Sequence, residues 1–272
     1  MENVKKRSVI TGYILITTVT FLFLGPILWA LISSFKPKDL LYTPSLIFTP
    51  TIANYQEAIS SINFFSHLTN SLIISVSTVL ICLILGLPAA YGFVRFKFKM
   101  KNSLLFWILS IQMLPPIAAV IALYDLFLST NLLGTHLAVV IASSIFNLPL
   151  TVWMMRSFFQ EVPLTLEESA MIDGCTRIQA FFKITLPLVG TGIATTSIFV
   201  FLFSWNAYLI PLVLTNRTTQ TLPVAITGFV SDSGVMWDQL LPASMLTVLP
   251  LVILAIFIQK YIVRGISFGA VK

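Results

Sequence analysis

Residues Leu166–Cys175 read LEESAMIDGC, and three acids, Glu167, Glu168 and Asp173, fall inside that short stretch. The whole chain of 272 residues holds only ten Asp and Glu, so their concentration here asks for an explanation. Hydrophobic residues make up 57% of the chain and charged residues 10%. Ordinary soluble domains carry about 25% charged residues. Too few charges remain to cover a soluble surface, so the chain belongs in a bilayer. LEESAMIDGC is then a polar loop between two apolar runs.

A transmembrane helix needs about 20 mostly apolar residues. Uncharged windows of that length run Val9–Phe35, Asn70–Val94, Ser103–Tyr124, Gly134–Met155, Leu186–Asn216 and Gln239–Gln259. The fifth exceeds one span and is expected to tilt or partly leave the membrane, with its core at 188–213; the sixth is centred on 240–259. The first follows Lys5-Lys6-Arg7 and is too long for the apolar part of a signal peptide, so it is expected to be a retained anchor. The fold class expected is an all-α integral membrane protein with six transmembrane helices. A single transmembrane domain covers 1–272, with the polar loop at 160–187.

The basic residues orient these spans. With the N-terminus in the cytoplasm, only Lys36, Lys38 and Arg217 of the sixteen Lys and Arg fall on the outer side. That is a strong positive-inside bias, and it places both termini and LEESAMIDGC in the cytoplasm of a multi-pass cell-membrane protein. The same bias accounts for the net charge of +6 without nucleic acid as a partner. Outside, Pro37, Pro44 and Pro50 predict extended chain before a short helix near Asn54–Ile62.

Within the loop, Thr165 and Glu168 have the S/T-x-x-E spacing of a capping box, which predicts a helix start. Gly174 stands where a left-handed residue would end that helix. Thr176 and Gln179 repeat the capping-box spacing, so the loop is predicted to form helix, glycine turn, helix. Taken alone, these residues leave open a plain solvated connector whose acids only cap a helix.

Several chemistries are absent. Cys82 and Cys175 lie far apart and the only histidines are His67 and His136, which supplies neither a disulfide framework nor a zinc site. No G-x-x-x-x-G-K-[ST] phosphate loop occurs, so this chain does not itself cradle ATP. No ionisable residue lies deep inside a predicted span, which argues against an ion-driven carrier and an intramembrane protease. Milder groups lie there instead: Gln112, Asn147, Trp205, Asn206 and Tyr208, beside Pro115, Pro116, Pro149 and Pro211, which are expected to bend helices. Asn147, Trp205, Asn206 and Tyr208 are the candidates for a solute path, since amides and aromatic faces suit a hydroxylated solute. Helix-packing roles stay open for each of them.

The segment EESAMIDGCTRIQAFFKITLPL resembles the cytoplasmic EAA loop of ABC importer permeases, with Glu168, Ser169, Ala170, Gly174, Ile184, Leu186 and Pro187 at the matching positions. The stretches AAYGFVRFKF (Ala89–Phe98), MLPPIAAVIALY (Met113–Tyr124), FSWNAYLIPL (Phe203–Leu212) and GISFGAVK (Gly265–Lys272) are similar to the shorter permease of maltose- and trehalose-type importers. Ser169, Thr191 and Ala207 depart from the usual pattern. The resemblance implies a permease subunit of a binding-protein-dependent oligosaccharide or disaccharide importer, not itself an enzyme. Its implied partners are a second homologous permease, two ATPase subunits that hold the ATP and Mg, an external solute-binding protein, the sugar and membrane lipid. It implies ATPase coupling through Glu167, Glu168, Ser169, Ala170, Asp173 and Gly174, and a tail contact to the ATPases through Ser267, Gly269 and Ala270. A permease for a polyol or glycerol phosphate, or a passive channel, is the alternative.

Overall fold

The computed structural model describes residues 2–45, 47–232 and 234–269, with side chains from residue 12 to residue 256. The chain is mostly helical and falls into two compact units, one of residues up to Phe64 with Ile226–Pro250, the other of Phe65–Ala225 with the residues from Leu251 onward.

The first unit begins with α1 (Glu2–Ser34), whose Tyr13, Leu15, Phe21 and Phe23 are exposed, as befits a lipid-facing or partner-facing helix. Beyond it the chain is not extended throughout as expected: a 3₁₀ turn at Lys38–Leu40 comes first, and irregular chain then leads to α2 (Ala53–Ser61), close to the expected short helix. Polar contacts fix this segment. Lys36 is buried, donates from Nζ to the Thr43 carbonyl at 3.0 Å and lies 5.0 Å from the Trp29 ring centroid. Asn54 Nδ2 donates to the Lys36 carbonyl at 2.7 Å. Lys38 pairs with Glu57 at 2.6 Å and with Asp238 at 3.0 Å. A hairpin of β1 (Val230–Ser231) and β2 (Gly234–Val235) precedes the long closing helix Trp237–Gly269, whose part up to Pro250 belongs to this unit.

The second unit holds α3 (Phe64–Arg95), α4 (Lys101–Ser110), α5 (Pro116–Ser129), α6 (His136–Glu161), α7 (Leu164–Ile172), α8 (Arg177–Ala180), α9 (Leu186–Leu188), α10 (Gly190–Trp205), α11 (Leu209–Leu214) and α12 (Leu222–Ile226). The closing helix Trp237–Gly269 is α13. Helix α6 is the hub. Its Ala138, Val139 and Ala142 join Ile74, Val120, Ile210 and Leu214 in one apolar cluster. Its Val152, Met155 and Phe159 join Tyr91, Leu105, Phe181 and Val189 in another.

Two of the expected spans are broken. The window read as one span, Ser103–Tyr124, is α4 and a 3₁₀ turn followed by α5, bent by 94°. A residue before proline is pushed out of the helical region. Here Leu114 (ψ 127°) and Pro115 (ψ 122°) each precede a proline and are extended, so the helix restarts only with Pro116 in its first turn. The fifth window bends by 76° between Leu188 and Gly190. A π turn at Phe181–Thr185 leads into it, and Pro187 has no N–H to continue the ladder. By contrast α6 continues through Pro149 and reaches Glu161, past the expected end at Met155. Among the described residues four helices, α1, α3, α6 and α13, are each long and apolar enough to cross a membrane, and the two bent pairs pass the same test as pairs.

At one end of this unit Asn70 ties three segments together. Its Nδ2 donates to the carbonyls of Thr218 (2.9 Å) and Gln220 (3.0 Å), which leaves Oδ1 to accept from His136 Nε2 at 2.9 Å. His67 Nδ1 donates to the same Gln220 carbonyl at 2.9 Å. Both histidines therefore hold the 216–222 turn.

Candidate functional site

The polar loop folds as helix, turn, helix, with one correction at its start. Helix α7 begins at Leu164 behind Pro163, and Thr165 is already inside the first turn, where its carbonyl accepts from Ser169 Oγ at 2.9 Å. The capping box expected from Thr165 and Glu168 does not form. Proline suits a helix start, because the N–H it lacks would have no partner there, so Pro163 takes the place Thr165 was expected to fill.

The end of α7 follows the expectation. Gly174 has φ +92°. Gly174 N–H donates to the Met171 carbonyl at 3.1 Å and Cys175 N–H to the Ala170 carbonyl at 3.0 Å, the paired bonds of a Schellman ending. The second capping box also forms, with Gln179 N–H on Thr176 Oγ1 at 3.2 Å and Thr176 N–H on Gln179 Oε1 at 2.8 Å.

The six residues named for coupling divide between two faces. Glu168, Ser169, Asp173 and Gly174 are exposed, together with Ile172 (86% exposed), Ile178 and Phe182. Ala170 is buried, and Glu167 is 1% exposed. Glu167 therefore presents nothing to an outside partner. Its Oε1 accepts from Arg95 Nε at 2.8 Å and Thr185 Oγ1 at 2.8 Å, and its Oε2 from the Tyr91 hydroxyl at 2.7 Å. Arg95 Nη2 donates onward to the Val162 carbonyl at 2.8 Å.

Burial works to raise the Glu167 carboxyl. The hydrogen bonds from Tyr91, Thr185 and Arg95, with the Arg95 charge, outweigh it and hold the group below the usual carboxylate range. Aromatic packing surrounds the pair, with the Tyr91 ring 5.8 Å from Phe159 and 4.7 Å from Phe181. Arg177 lies 5.4 Å over the Phe96 ring. Tyr91 and Arg95 were passed over as site residues in the sequence. Their signal was the i, i+4 spacing at the end of a span, which puts both on one helix face.

A cavity of about 560 Å³ lies where the α4–α5 break faces α6 and the α10–α11 junction, lined by Gln112, Ser143, Phe146, Asn147, Phe203 and Tyr208 among others. Asn147 and Tyr208, two of the four residues expected on a solute path, line this cavity. Trp205 and Asn206 do not line it. Trp205 is 1% exposed and stacked on Phe201 at 5.5 Å, while Asn206 turns back to donate to the Leu202 carbonyl at 2.8 Å. Gln112 and Ser143 line the cavity instead, and the buried Ser143 hydroxyl has no hydrogen-bond partner among the described residues. Periodicity alone could not select them, because the side of the helix that meets the cavity depends on the α4–α5 break. The tail residues Ser267, Gly269 and Ala270 lie outside the residues whose side chains are described.

Comparison with known proteins identifies the family. Residues 82–268 match the family of the binding-protein-dependent transport system inner membrane component. The chain is 32% identical over 276 residues to the trehalose/maltose transport system permease protein MalG of Thermococcus litoralis, covering 100% of this chain and 98% of that protein. It is 33% identical over 262 residues to the diacetylchitobiose uptake system permease protein DasC of Streptomyces coelicolor, covering 94% and 95% of the two chains. Its fold is similar to a chain of a bacterial ABC transporter involved in the import of the acidic polysaccharide alginate, with TM-score 0.78, 19% identity and coverage of 93% and 95%. The chain belongs to the family of binding-protein-dependent transport system inner membrane components.

Proposed function

We propose that this chain is one permease subunit of an ATP-driven importer of a disaccharide or oligosaccharide. In this reading each broken helix pair is one span, six in all, and both termini and the α7–α8 loop are cytoplasmic, which the excess of Lys and Arg on one side supports. A second permease completes the pathway, two ATPase subunits lie beneath and an external binding protein delivers the sugar. ATP and Mg reside on the ATPases, since this chain lacks a phosphate loop.

The observation that carries this reading is the outer face of the loop. Small Ser169, the acids Glu168 and Asp173, and bare Gly174 stand beside exposed Ile172, Ile178 and Phe182. An apolar patch rimmed by polar groups marks a protein-binding surface. Here it suits a groove on the ATPase. Closure of the ATPases on ATP pushes this face and shifts the spans between inward-open and outward-open states, through contacts that differ between the two. Gln112, Ser143, Asn147 and Tyr208 offer hydrogen bonds to sugar hydroxyls along an otherwise apolar path.

The test is to purify the chain with its co-assembling permease and ATPases, reconstitute it in proteoliposomes and supply the binding protein with a panel of sugars, polyols and glycerol phosphates. Stimulated ATP hydrolysis and uptake with a disaccharide or oligosaccharide supports the reading. Stimulation by a polyol or glycerol phosphate alone replaces the substrate class, and flux without ATP makes the protein a passive channel.

A further inference from the structure

The loop has an inner face as well as an outer one, and its chemistry is unusual for the interior of an apolar bundle. Glu167 is a buried carboxylate with both oxygens occupied, and its three donors come from two other segments. Tyr91 and Arg95 lie at the end of α3, and Thr185 lies in the π turn that follows α8. The second arm of Arg95 reaches Val162, immediately before the loop. One guanidinium thus grips the chain ahead of α7 and, through Glu167, α7 itself. Thr185 adds the chain behind it.

We propose that the Glu167–Arg95 pair, steadied by Tyr91 and Thr185, is the strut that transmits movement of the loop into the transmembrane helices. Its residues position the loop and make no contact with the ATPase. The proposal rests on the reading of the chain as an importer permease.

The physical case begins with what the contact cannot do. Apolar side chains at the loop–bundle contact can slide past one another at little cost, which is how packed helices shear. A buried ion pair cannot. Parting Arg95 from Glu167 would leave two uncompensated charges out of water, a far greater penalty than rearranging apolar contacts. The paired geometry is directional as well, with Glu167 Oε1 held 2.8 Å from Nε of the planar guanidinium. The end of α3 therefore moves with α7.

From α3 the contact continues without a gap. Gly86 on α3 packs directly against Thr151 on α6, and Thr151 Oγ1 donates to the Asn147 carbonyl at 3.0 Å. Asn147 lines the cavity. Loop helix, ion pair, α3, the Gly86–Thr151 contact and the cavity wall form one contiguous series of packed groups, which is the physical requirement for coupling two sites. It also gives the buried Glu167 a role separate from that of exposed Glu168 beside it.

The test uses the complete transporter in proteoliposomes with its sugar-loaded binding protein. The readouts are sugar moved per ATP hydrolysed and the amount of ATPase subunit that co-purifies. Glu167→Gln and Arg95→Lys are each expected to lower the sugar-to-ATP ratio about tenfold, within the usual range of coupling between sites. ATPase co-purification should be unchanged. Because both variants break the same strut, the double variant is expected to be no worse than either single one. Tyr91→Phe keeps the ring against Phe159 and Phe181 and removes only one bond, so it serves if Glu167→Gln fails to accumulate; a fall of about fivefold is expected for one lost hydrogen bond. An unchanged ratio in these variants overturns the strut, as do additive losses in the double variant. Loss of the ATPase from the Glu167→Gln complex also overturns it, because Glu167 would then act in docking. A wild-type complex that hydrolyses ATP and moves no sugar overturns the importer reading itself, which is a separate result.

Discussion

Gly86 and Thr151 meet with no room for a methyl group between them: a β-carbon at Gly86 would stand 2.5 Å from Thr151 Cγ2. Thr151 is fully buried and its hydroxyl is engaged on the Asn147 carbonyl, so it cannot swing aside without losing that bond. The backbones of α3 and α6 approach closely here because one of them carries a glycine, as small residues commonly allow in membrane helices.

Gly86→Ala is therefore expected to destabilise the protein. Alanine gains up to about 1 kcal/mol in helix propensity, against about 1–3 kcal/mol for overpacking. The overpacking wins. Gly86→Ala with Thr151→Ser should recover most of the loss, since serine removes the colliding Cγ2 and keeps the hydroxyl. Thermal unfolding of the purified protein in detergent checks this. A double variant as unstable as Gly86→Ala alone would place the strain elsewhere.

Gly174 presents the opposite case. Its φ is +92° and, its two chain neighbours aside, no atom of the described residues lies within 4 Å of where a β-carbon would stand, so a substitution meets a backbone cost and no clash. An L-residue in left-handed backbone costs about 1–2 kcal/mol, asparagine less, and a β-branched residue more. The expected order of damage to binding-protein-stimulated ATP hydrolysis is Asn, then Ala, then Val. If Asn proves as damaging as Val, the glycine is needed for close approach of a partner and the backbone angle is secondary.

The buried pair predicts a definite response to pH. Glu167 titrates lower in the folded protein than in the unfolded chain, where a glutamate lies near 4.3. Its stabilisation is therefore fully present above the unfolded value and is lost as pH falls through the lower folded value. Wild type should exceed Glu167→Gln by about 3 kcal/mol, the lower end for a broken buried pair. That gap should stay level from about pH 8 to pH 5 and narrow below about pH 4. Melting curves of both proteins across this range measure it. A gap that closes between about pH 7 and pH 5 would mean that the carboxyl is raised and its proton shared, contrary to the geometry.

The cavity makes its own prediction for accessibility. In a background with Cys82 and Cys175 replaced, single cysteines at Gln112, Asn147 and Tyr208 should react with a membrane-impermeant thiol reagent in at least one trapped nucleotide state. Cysteine at Trp205 should stay protected, because that position is packed against Phe201 away from the cavity. Labelling at 205 with protection at 112, 147 and 208 would move the pathway to the other side of α10.

Much of this protein was legible in its residues. The apolar runs had the length of spans, Gly174 sat where a helix must end, and Thr176 with Gln179 had the spacing of a capping box that the structure contains. Each of those features is local: a hydrogen bond within one turn, or a run measured against the thickness of a bilayer. Such features follow from neighbours in the chain. What lay beyond the sequence depended on distant partners. Glu167 and Glu168 are adjacent acids on one helix, and distant partners, Arg95 and Tyr91 at the end of another helix with Thr185 behind the loop, decide that the first is buried while the second faces outward. Pro115 and Pro116 announced a bend, but a bend of 94° determines which side of each helix meets the cavity, so Gln112 and Ser143 line it and Trp205 and Asn206 do not. Residue types and spacings determined the elements and their ends, because backbone hydrogen bonding and hydrophobic length are short-range properties. The tertiary structure decided which polar groups are shared, because a buried charge is settled only by the group that meets it.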